Sequence, residues 1–257
     1  MYDTVGFIGA GRITRIVLEG LVRAGALPRR VLVHDRSAAA LAVVKPLPGV
    51  EAVTLAEAAA ADLVFGALHP PALVESLVAI AQALRPGAIF DSLAPKVKLA
   101  TLREKLGGFA RLARQNPNAP SLVGAGYNPI AFDPGLPAAD CAALLAFLAP
   151  LGQTPVVDEP TIEAYAVISA MGPTYFWFQL QAVRELAEEF GLDRAAADAA
   201  VKAMICGAAT TLIDGPLAPA EVMDLVPVRP LAEEEPAIRT ALQNRVRAMH
   251  AKLRSRP

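Results

Sequence analysis

The stretch Val5-Gly6-Phe7-Ile8-Gly9-Ala10-Gly11-Arg12-Ile13-Thr14 carries the residue types that hold a diphosphate. Phosphate oxygens need converging N–H donors and a backbone that a bulky ligand can approach. Gly9 can adopt backbone angles closed to other residues, and Gly11 leaves the main chain uncovered. From Arg12 onward the apolar residues Ile13, Ile16, Val17, Leu21 and Ala24 recur at helical spacing, so the free amides of a helix start point back at the turn through Gly9, Ala10, Gly11, Arg12 and Ile13. Thr14 stands where the full fingerprint has a third glycine, and a plain tight turn in a parallel-sheet protein would use the same two glycines. A second apolar strand, Val31-Leu32-Val33, favours the dinucleotide reading. It ends in His34-Asp35-Arg36-Ser37, about twenty residues beyond the turn, where the adenosine ribose of a dinucleotide lies. Asp35 suits free ribose hydroxyls or the capping of the next helix, and Arg36 with Ser37 suits a ribose phosphate, unless Arg36 is a solvated loop charge. The expected cofactor is NADP, with NAD as the alternative.

These groups need a scaffold. Expected helices at Ala38–Val44, Leu55–Ala61, Ala72–Leu84 and near Leu99–Lys105 alternate with expected strands at Glu51–Thr54, Asp62–Leu68, Ala88–Asp91 and Phe109–Ala113. Alternation at this interval predicts an α/β fold, a Rossmann-type parallel sheet with helices on both faces. Ligands of such sheets sit at the carboxyl ends of the strands, so the loops Gly9–Gly11, Asp35–Ser37, Leu68–Pro71, Ser92–Lys96 and Asn116–Pro120 are expected to converge. A helix over Pro137–Leu151 and a strand at Thr154–Val157 close this domain, residues 1–158.

Residues 159–257 are expected to form an all-helical domain for dimerisation and substrate binding. The pattern predicts a long helix over Thr161–Phe190, kinked at Gly172-Pro173, because proline lacks an amide donor. Asp193 is expected to cap a helix over Arg194–Ile213, followed by a short helix near Ala218–Leu225 and a last one over Glu234–Leu253. Such a half is thin for an independent core, so a homodimer or higher homo-oligomer through these helices is expected.

The chain has 257 residues, a formal net charge of −1 and 19% charged residues, with no excess of basic charge for nucleic acid or an anionic membrane. The hydrophobic fraction of 54% is largely alanine, and no uninterrupted apolar run approaches a membrane span. Cys141 and Cys206 lack metal-ligand spacing and read as reduced thiols in a cytoplasmic protein, with no metal expected.

The chain resembles the pyrroline-5-carboxylate reductase family along nearly its whole length. Val5–Gly11 is similar to that family's first strand and turn, and Ala67-Leu68-His69-Pro70 stands where the family has an Ala-Val-Lys-Pro segment beside the cofactor. Pro117-Asn118-Ala119-Pro120 resembles its Pro-Asn-Thr-Pro loop, and Ser169-Ala170-Met171-Gly172-Pro173-Thr174-Tyr175 its Ser-Gly-Ser-Gly-Pro-Ala-Tyr helix. The resemblance implies a nicotinamide-binding domain that includes Ala67, Leu68, His69, Pro70 and Asn118, then a helical dimerisation domain, with the active site completed between subunits. Departures concern the substrate. The family's Ser-Pro-Gly-Gly-Thr-Thr stretch is replaced by Asp224-Leu225-Val226-Pro227-Val228-Arg229-Pro230-Leu231, Met171 replaces a small serine, and Lys96 a glycine. Arg229 can supply a bidentate carboxylate grip or be a solvated loop charge. The expected substrate pocket includes Met171, Tyr175 and Arg229, rebuilt away from pyrroline-5-carboxylate.

The implied reaction is hydride transfer to a cyclic imine or related C=N substrate in a site that excludes water. Candidate proton donors are Tyr175, Ser169 and His69. The alternative readings are as an interface-core residue for Tyr175, a helix residue bonded to its preceding turn for Ser169, and a loop imidazole touching cofactor or solvent for His69. Two rival functions are a hydroxyacid-type dehydrogenase, which would need a lysine that Thr161–Leu180 lacks, and a non-catalytic NAD(P)-binding regulator. A deazaflavin-linked enzyme shares the first domain, but the helical second half fits it poorly.

Overall fold

The structure is a computed structural model that describes residues 2–254. Its sheet contains β1 (Thr4–Ile8), β2 (Arg30–His34), β3 (Val50–Ala52), β4 (Leu63–Gly66), β5 (Ile89–Ser92), β6 (Leu112–Gln115) and β8 (Ile130–Phe132) in the order β3-β2-β1-β4-β5-β6-β8. The first six run parallel, and β8 lies antiparallel on β6, with Arg114 opposite Ala131. Between them run α1 (Arg12–Arg23), α2 (Ala38–Val44), α3 (Leu55–Ala59), α4 (Pro70–Ala83) and α5 (Leu99–Lys105). A two-residue strand β7 (Gly126–Tyr127) precedes β8, α6 (Ala138–Leu148) follows it, and β9 (Gly152–Gln153) pairs with β7.

Alternating side chains explain why both faces are covered. Val5, Phe7, Val33, Phe65 and Ile89 pack on one face with Val17, Leu18 and Leu21 of α1 and Leu144 and Leu148 of α6. Ile8, Leu32, Val64, Phe90 and Leu112 pack on the other with Leu73, Leu77 and Ile80 of α4 and Leu102 of α5. Period two sends successive residues to opposite layers, so a strand covered on both sides reads as a continuous apolar run. At one rim the three-residue β3 carries exposed Glu51, which receives a bidentate bond from Arg30 at 3.0 and 2.9 Å.

Three local expectations are corrected. The sixth strand begins at Leu112, not Phe109, because Gly107 and Gly108 at φ 66° and 89° prolong the turn after α5. That strand also accommodates a charge. Arg114 is fully buried, with its guanidinium 2.6 Å from Glu163 and 3.2 Å from Glu159. The strand expected over Thr154–Val157 is reduced to a single bridge between Val156 and Ile130, since Pro155 has no N–H to give a ladder, and the two-residue β9 ends before it at Gln153. The helix expected over Thr161–Phe190 is broken. A 3₁₀ turn (Glu159–Thr161) leads into α7 (Ile162–Tyr165), a π-turn (Ala166–Ala170) and then α8 (Pro173–Glu189). The disruption lies ahead of Pro173, on the residues whose carbonyls its ring displaces.

By contacts Gly172–Ala248 is one compact unit and the residues on either side of it another, a later division than the 158/159 boundary expected from sequence. The buried pairing of Arg114 with Glu159 and Glu163 ties the intervening segment to the sheet. The helical unit holds α8, α9 (Arg194–Ile213), α10 (Pro219–Asp224) and α11 (Glu235–Arg254) as far as Ala248. Asp193 caps α9 by accepting from the Ala196 amide at 2.8 Å. Ala197 is the one buried apolar side chain among the described residues of this unit, while Trp177, Phe178, Phe190 and Ile213 are more than half exposed. Helix α9 has a mean hydropathy of 1.4 over its apolar window and is long enough to cross a bilayer, with 6% of that window buried. It shows no unbroken apolar run in the sequence because Asp198 and Lys202 interrupt an otherwise alanine-rich stretch.

Candidate active site

The turn after β1 is built for close approach. Gly9 has φ 114°, and a Cβ there would lie 2.6 Å from the Ala67 carbonyl oxygen. Its amide donates to the His34 carbonyl at 2.7 Å, and its own carbonyl accepts from the buried Thr14 hydroxyl at 2.6 Å. Thr14 therefore takes the place of a third glycine by bonding to the turn. Gly11 begins α1 with no side-chain cap and no acidic residue in the first turn, and nothing lies within 4 Å of where its Cβ would be. The leading amides of α1 lack intrahelical partners and carry the positive end of the helix dipole. Arg12 is exposed and Ile13 half-buried on this first turn.

Asp35 makes two bonds within the protein, and the helix cap is not one of them. One carboxylate oxygen accepts from the Ala10 amide and the other from the Ser37 amide, both at 2.7 Å. It thus ties the glycine turn to the end of β2. The helix cap falls to Ser37, whose hydroxyl accepts from the Ala40 amide at 3.2 Å. Arg36 is exposed and has no hydrogen bond or ion pair among the described residues. A cleft of about 110 Å³ is lined by His34, Asp35, Arg36, Leu55, Leu68, Ala72 and Ser76. The Ala67 amide donates to the Ile8 carbonyl at 2.8 Å, Pro70 occupies the first turn of α4, and exposed His69 precedes it without capping it. Two helix starts, of α1 and α4, thus stand at the carboxyl ends of adjacent strands.

The loop after β6 is held by asparagines. The Asn118 amide and the Ser121 hydroxyl both donate to Asn128 Oδ1, at 2.9 and 3.0 Å. Asn118 Oδ1 accepts from the Tyr127 amide, and its Nδ2 donates to the Ser169 carbonyl, each at 3.1 Å. The Ser169 hydroxyl donates back to the Tyr165 carbonyl at 2.9 Å, as a helix residue bonded to its preceding turn does. Met171 follows directly. Tyr175 belongs to the first turn of α8, and burial raises the pKa of its phenol. Arg229, in the loop before α11, forms an ion pair with Glu235. No group of three or more potential metal ligands occurs among the described residues.

Residues 4–95 match the family described as NADP oxidoreductase, coenzyme F420-dependent, and residues 159–253 match pyrroline-5-carboxylate reductase dimerisation. The pyrroline-5-carboxylate reductase of Escherichia coli is 28% identical over 88% of this chain and 85% of its own. That of Pseudomonas aeruginosa is 29% identical over 95% and 90%. Among solved structures, a pyrroline-5-carboxylate reductase from Coxiella burnetii is 25% identical over 98% of this chain and 94% of its own, with a TM-score of 0.67. The Plasmodium falciparum pyrroline carboxylate reductase, solved with NADP bound, shares the fold at a TM-score of 0.83 and 18% identity, over 98% and 97% of the two chains. Along most of its length the chain is similar to pyrroline-5-carboxylate reductases, and its C-terminal part matches the dimerisation domain of that family.

Two features of the site carry little or no local signal in the sequence. Asn128 lies ten positions beyond Asn118 in the Gly126-Tyr127-Asn128-Pro129 turn, and its only local signal is the Asn-Pro pair. The buried Arg114–Glu163 pair links residues 49 apart and has no local signal at all.

Proposed function

We propose that this chain is an NADP-dependent oxidoreductase that transfers hydride to the carbon of a cyclic imine or related C=N substrate. The observation that carries this reading is the glycine turn at Gly9–Gly11 feeding an uncapped helix start, with unpaired Arg36 beside it. Gly11, Arg12 and Ile13 would present amides to the diphosphate, and Ala67, Leu68, His69 and Pro70 would flank the dinucleotide. The bound nicotinamide supplies the hydride.

The preference for NADP over NAD rests on Arg36. Each oxygen of Asp35 already accepts from a backbone amide, which fixes the carboxylate against the glycine turn and leaves only its remaining lone pairs for ribose hydroxyls. Arg36 is free to pair with a ribose phosphate, a charge-assisted contact. Titration of the protein with NADPH and NADH by calorimetry tests this. NADPH should bind more tightly, and Arg36→Ala should remove about 1.5–3 kcal/mol from NADPH binding with little effect on NADH. Failure to bind either dinucleotide at millimolar concentration would refute the oxidoreductase mechanism.

On the substrate side, Met171, Tyr175 and Arg229 are proposed as pocket residues. Because Arg229 is paired with Glu235, a substrate carboxylate would have to displace that partner. This supports a substrate other than pyrroline-5-carboxylate. His69 and Tyr175 are the proton-donor candidates, since the Ser169 hydroxyl proton is given to the Tyr165 carbonyl and burial keeps the Tyr175 phenol protonated. The exposed aromatic residues of α8 and the match to a dimerisation family support a homodimer. The free thiols of Cys141 and Cys206 accord with the reducing cytoplasm.

A further inference from the structure

We infer that Asn118 is a positioning residue, which holds the Ser169–Met171 turn in place for the reaction without itself touching the dinucleotide. The inference rests on the oxidoreductase reading above and starts from Pro173. In a regular helix the Ser169 carbonyl would accept from the amide four residues on, but that residue is Pro173 and has no N–H. The chain widens there into the π-turn Ala166–Ala170, closed by the Met171 amide donating to the Ala166 carbonyl at 3.0 Å. The donor missing from the helix comes from elsewhere. Asn118 Nδ2, from the loop after β6, reaches the Ser169 carbonyl at 3.1 Å.

Asn118 is also held at other points. It is 5% exposed, its Oδ1 receives the Tyr127 amide, and its own amide is given to Asn128. One Nδ2 donor goes to the carbonyl orphaned by Pro173 and one Oδ1 acceptor site to Tyr127, so the carboxamide is fixed from both ends inside the protein. Four residues before it in the chain, Arg114 grips Glu163 on α7, so one strand and its loop hold the approach to the π-turn at two points. The turn fixed in this way carries Ser169 and leads into Met171. Displacing reacting groups by about 1 Å through a distant change can cost on the order of a hundredfold in rate.

Asn118→Asp tests this, because it keeps an acceptor for Tyr127 and turns an oxygen toward the Ser169 carbonyl in place of the donor. Three quantities are measured on the full-length protein: the NADPH dissociation constant by calorimetry, kcat and KM on the cyclic imino acid that the wild type reduces, and hydrogen exchange over residues 166–171. Expected are an NADPH affinity within about twofold of wild type, a kcat lowered by about ten- to a hundredfold, and faster exchange at Met171. An NADPH affinity that weakens in proportion to the rate would make Asn118 a direct ligand and overturn the inference, as would unchanged exchange and unchanged kcat. If Asn118→Asp does not fold, Asn118→Ser, which also removes the Nδ2 donor, is read by the same three measurements. Should the wild type bind NADPH but reduce no imine, the oxidoreductase reading fails by itself, and the exchange at Met171 still decides whether Asn118 sets the turn.

Discussion

Phe65 and Phe178 are the same side chain in two different situations. Phe65 is fully buried in the sheet unit, stacked on Phe7 with ring centroids 4.8 Å apart, and Phe178 in the helical unit is 68% exposed. The contrast extends to the whole of each unit: the sheet buries its apolar residues on both faces within one chain, and the helices α8 to α10 bury almost none. One unit is complete as a folded object, and the other is half of one. A chain with 54% hydrophobic residues can supply both, because the surplus is placed where a second copy would cover it.

The comparison is broken most directly by truncating both phenylalanines. Phe65→Ala should lower unfolding free energy by about 3–5 kcal/mol in chemical denaturation. Phe178→Ala should change the stability of the dilute, dissociated chain by no more than about 0.5 kcal/mol. A large loss for Phe178 in the monomer would mean that the helical unit has a core of its own. Phe178→Asp should then convert the assembly to monomers by light scattering while leaving NADPH binding within about threefold, a cost of about 0.65 kcal/mol.

A titration sharpens the comparison further. Asp91 is fully buried in β5, and burial pushes its pKa up to about 8 from an ordinary 3.8. Tyr2, Asp140 and Arg111 lie in the same charged neighbourhood, and burial, with Asp140 and Asp91, also raises the Tyr2 phenol. Folded Asp91 keeps its proton where the unfolded chain has released it. Its contribution to stability is therefore full below about pH 3.8 and is lost as pH rises to about 8, with a slope of up to about 1.4 kcal/mol per unit. Asp91→Asn should flatten that part of the profile in urea denaturation across pH. At the small end, Arg30→Ala removes an exposed, solvent-screened pair with Glu51 and should leave the urea midpoint of the same assay almost unchanged.

What could be read in advance follows from how local the physics is. Gly9, Gly11 and the helix that starts at Arg12 signal themselves within a few residues, because turn geometry and helix periodicity are properties of short stretches. The parallel sheet is legible for the same reason, through its apolar runs alternating with helical patterns. Arg114 conceals the end of β6, since a charge in a buried strand makes sense only once Glu163 is known to face it. Asn118 reads as a cofactor contact from its loop, and its tie to Ser169 crosses 51 residues that only the fold brings together. Asp35 stands out in the sequence, but the bonds that occupy both its oxygens do not, because the Ala10 amide belongs to the turn of another strand.

The three-residue strand β3 at the rim, with Glu51 facing outward, has a consequence for how unassembled chains fail. A short charged rim offers a foreign strand few amides to pair with, so it resists growth into fibrils. Chains waiting for a partner are sticky on their helices and blunt on their sheet. Their errors at high concentration should take the form of mispaired helices, giving soluble oligomers that dilution can dissolve.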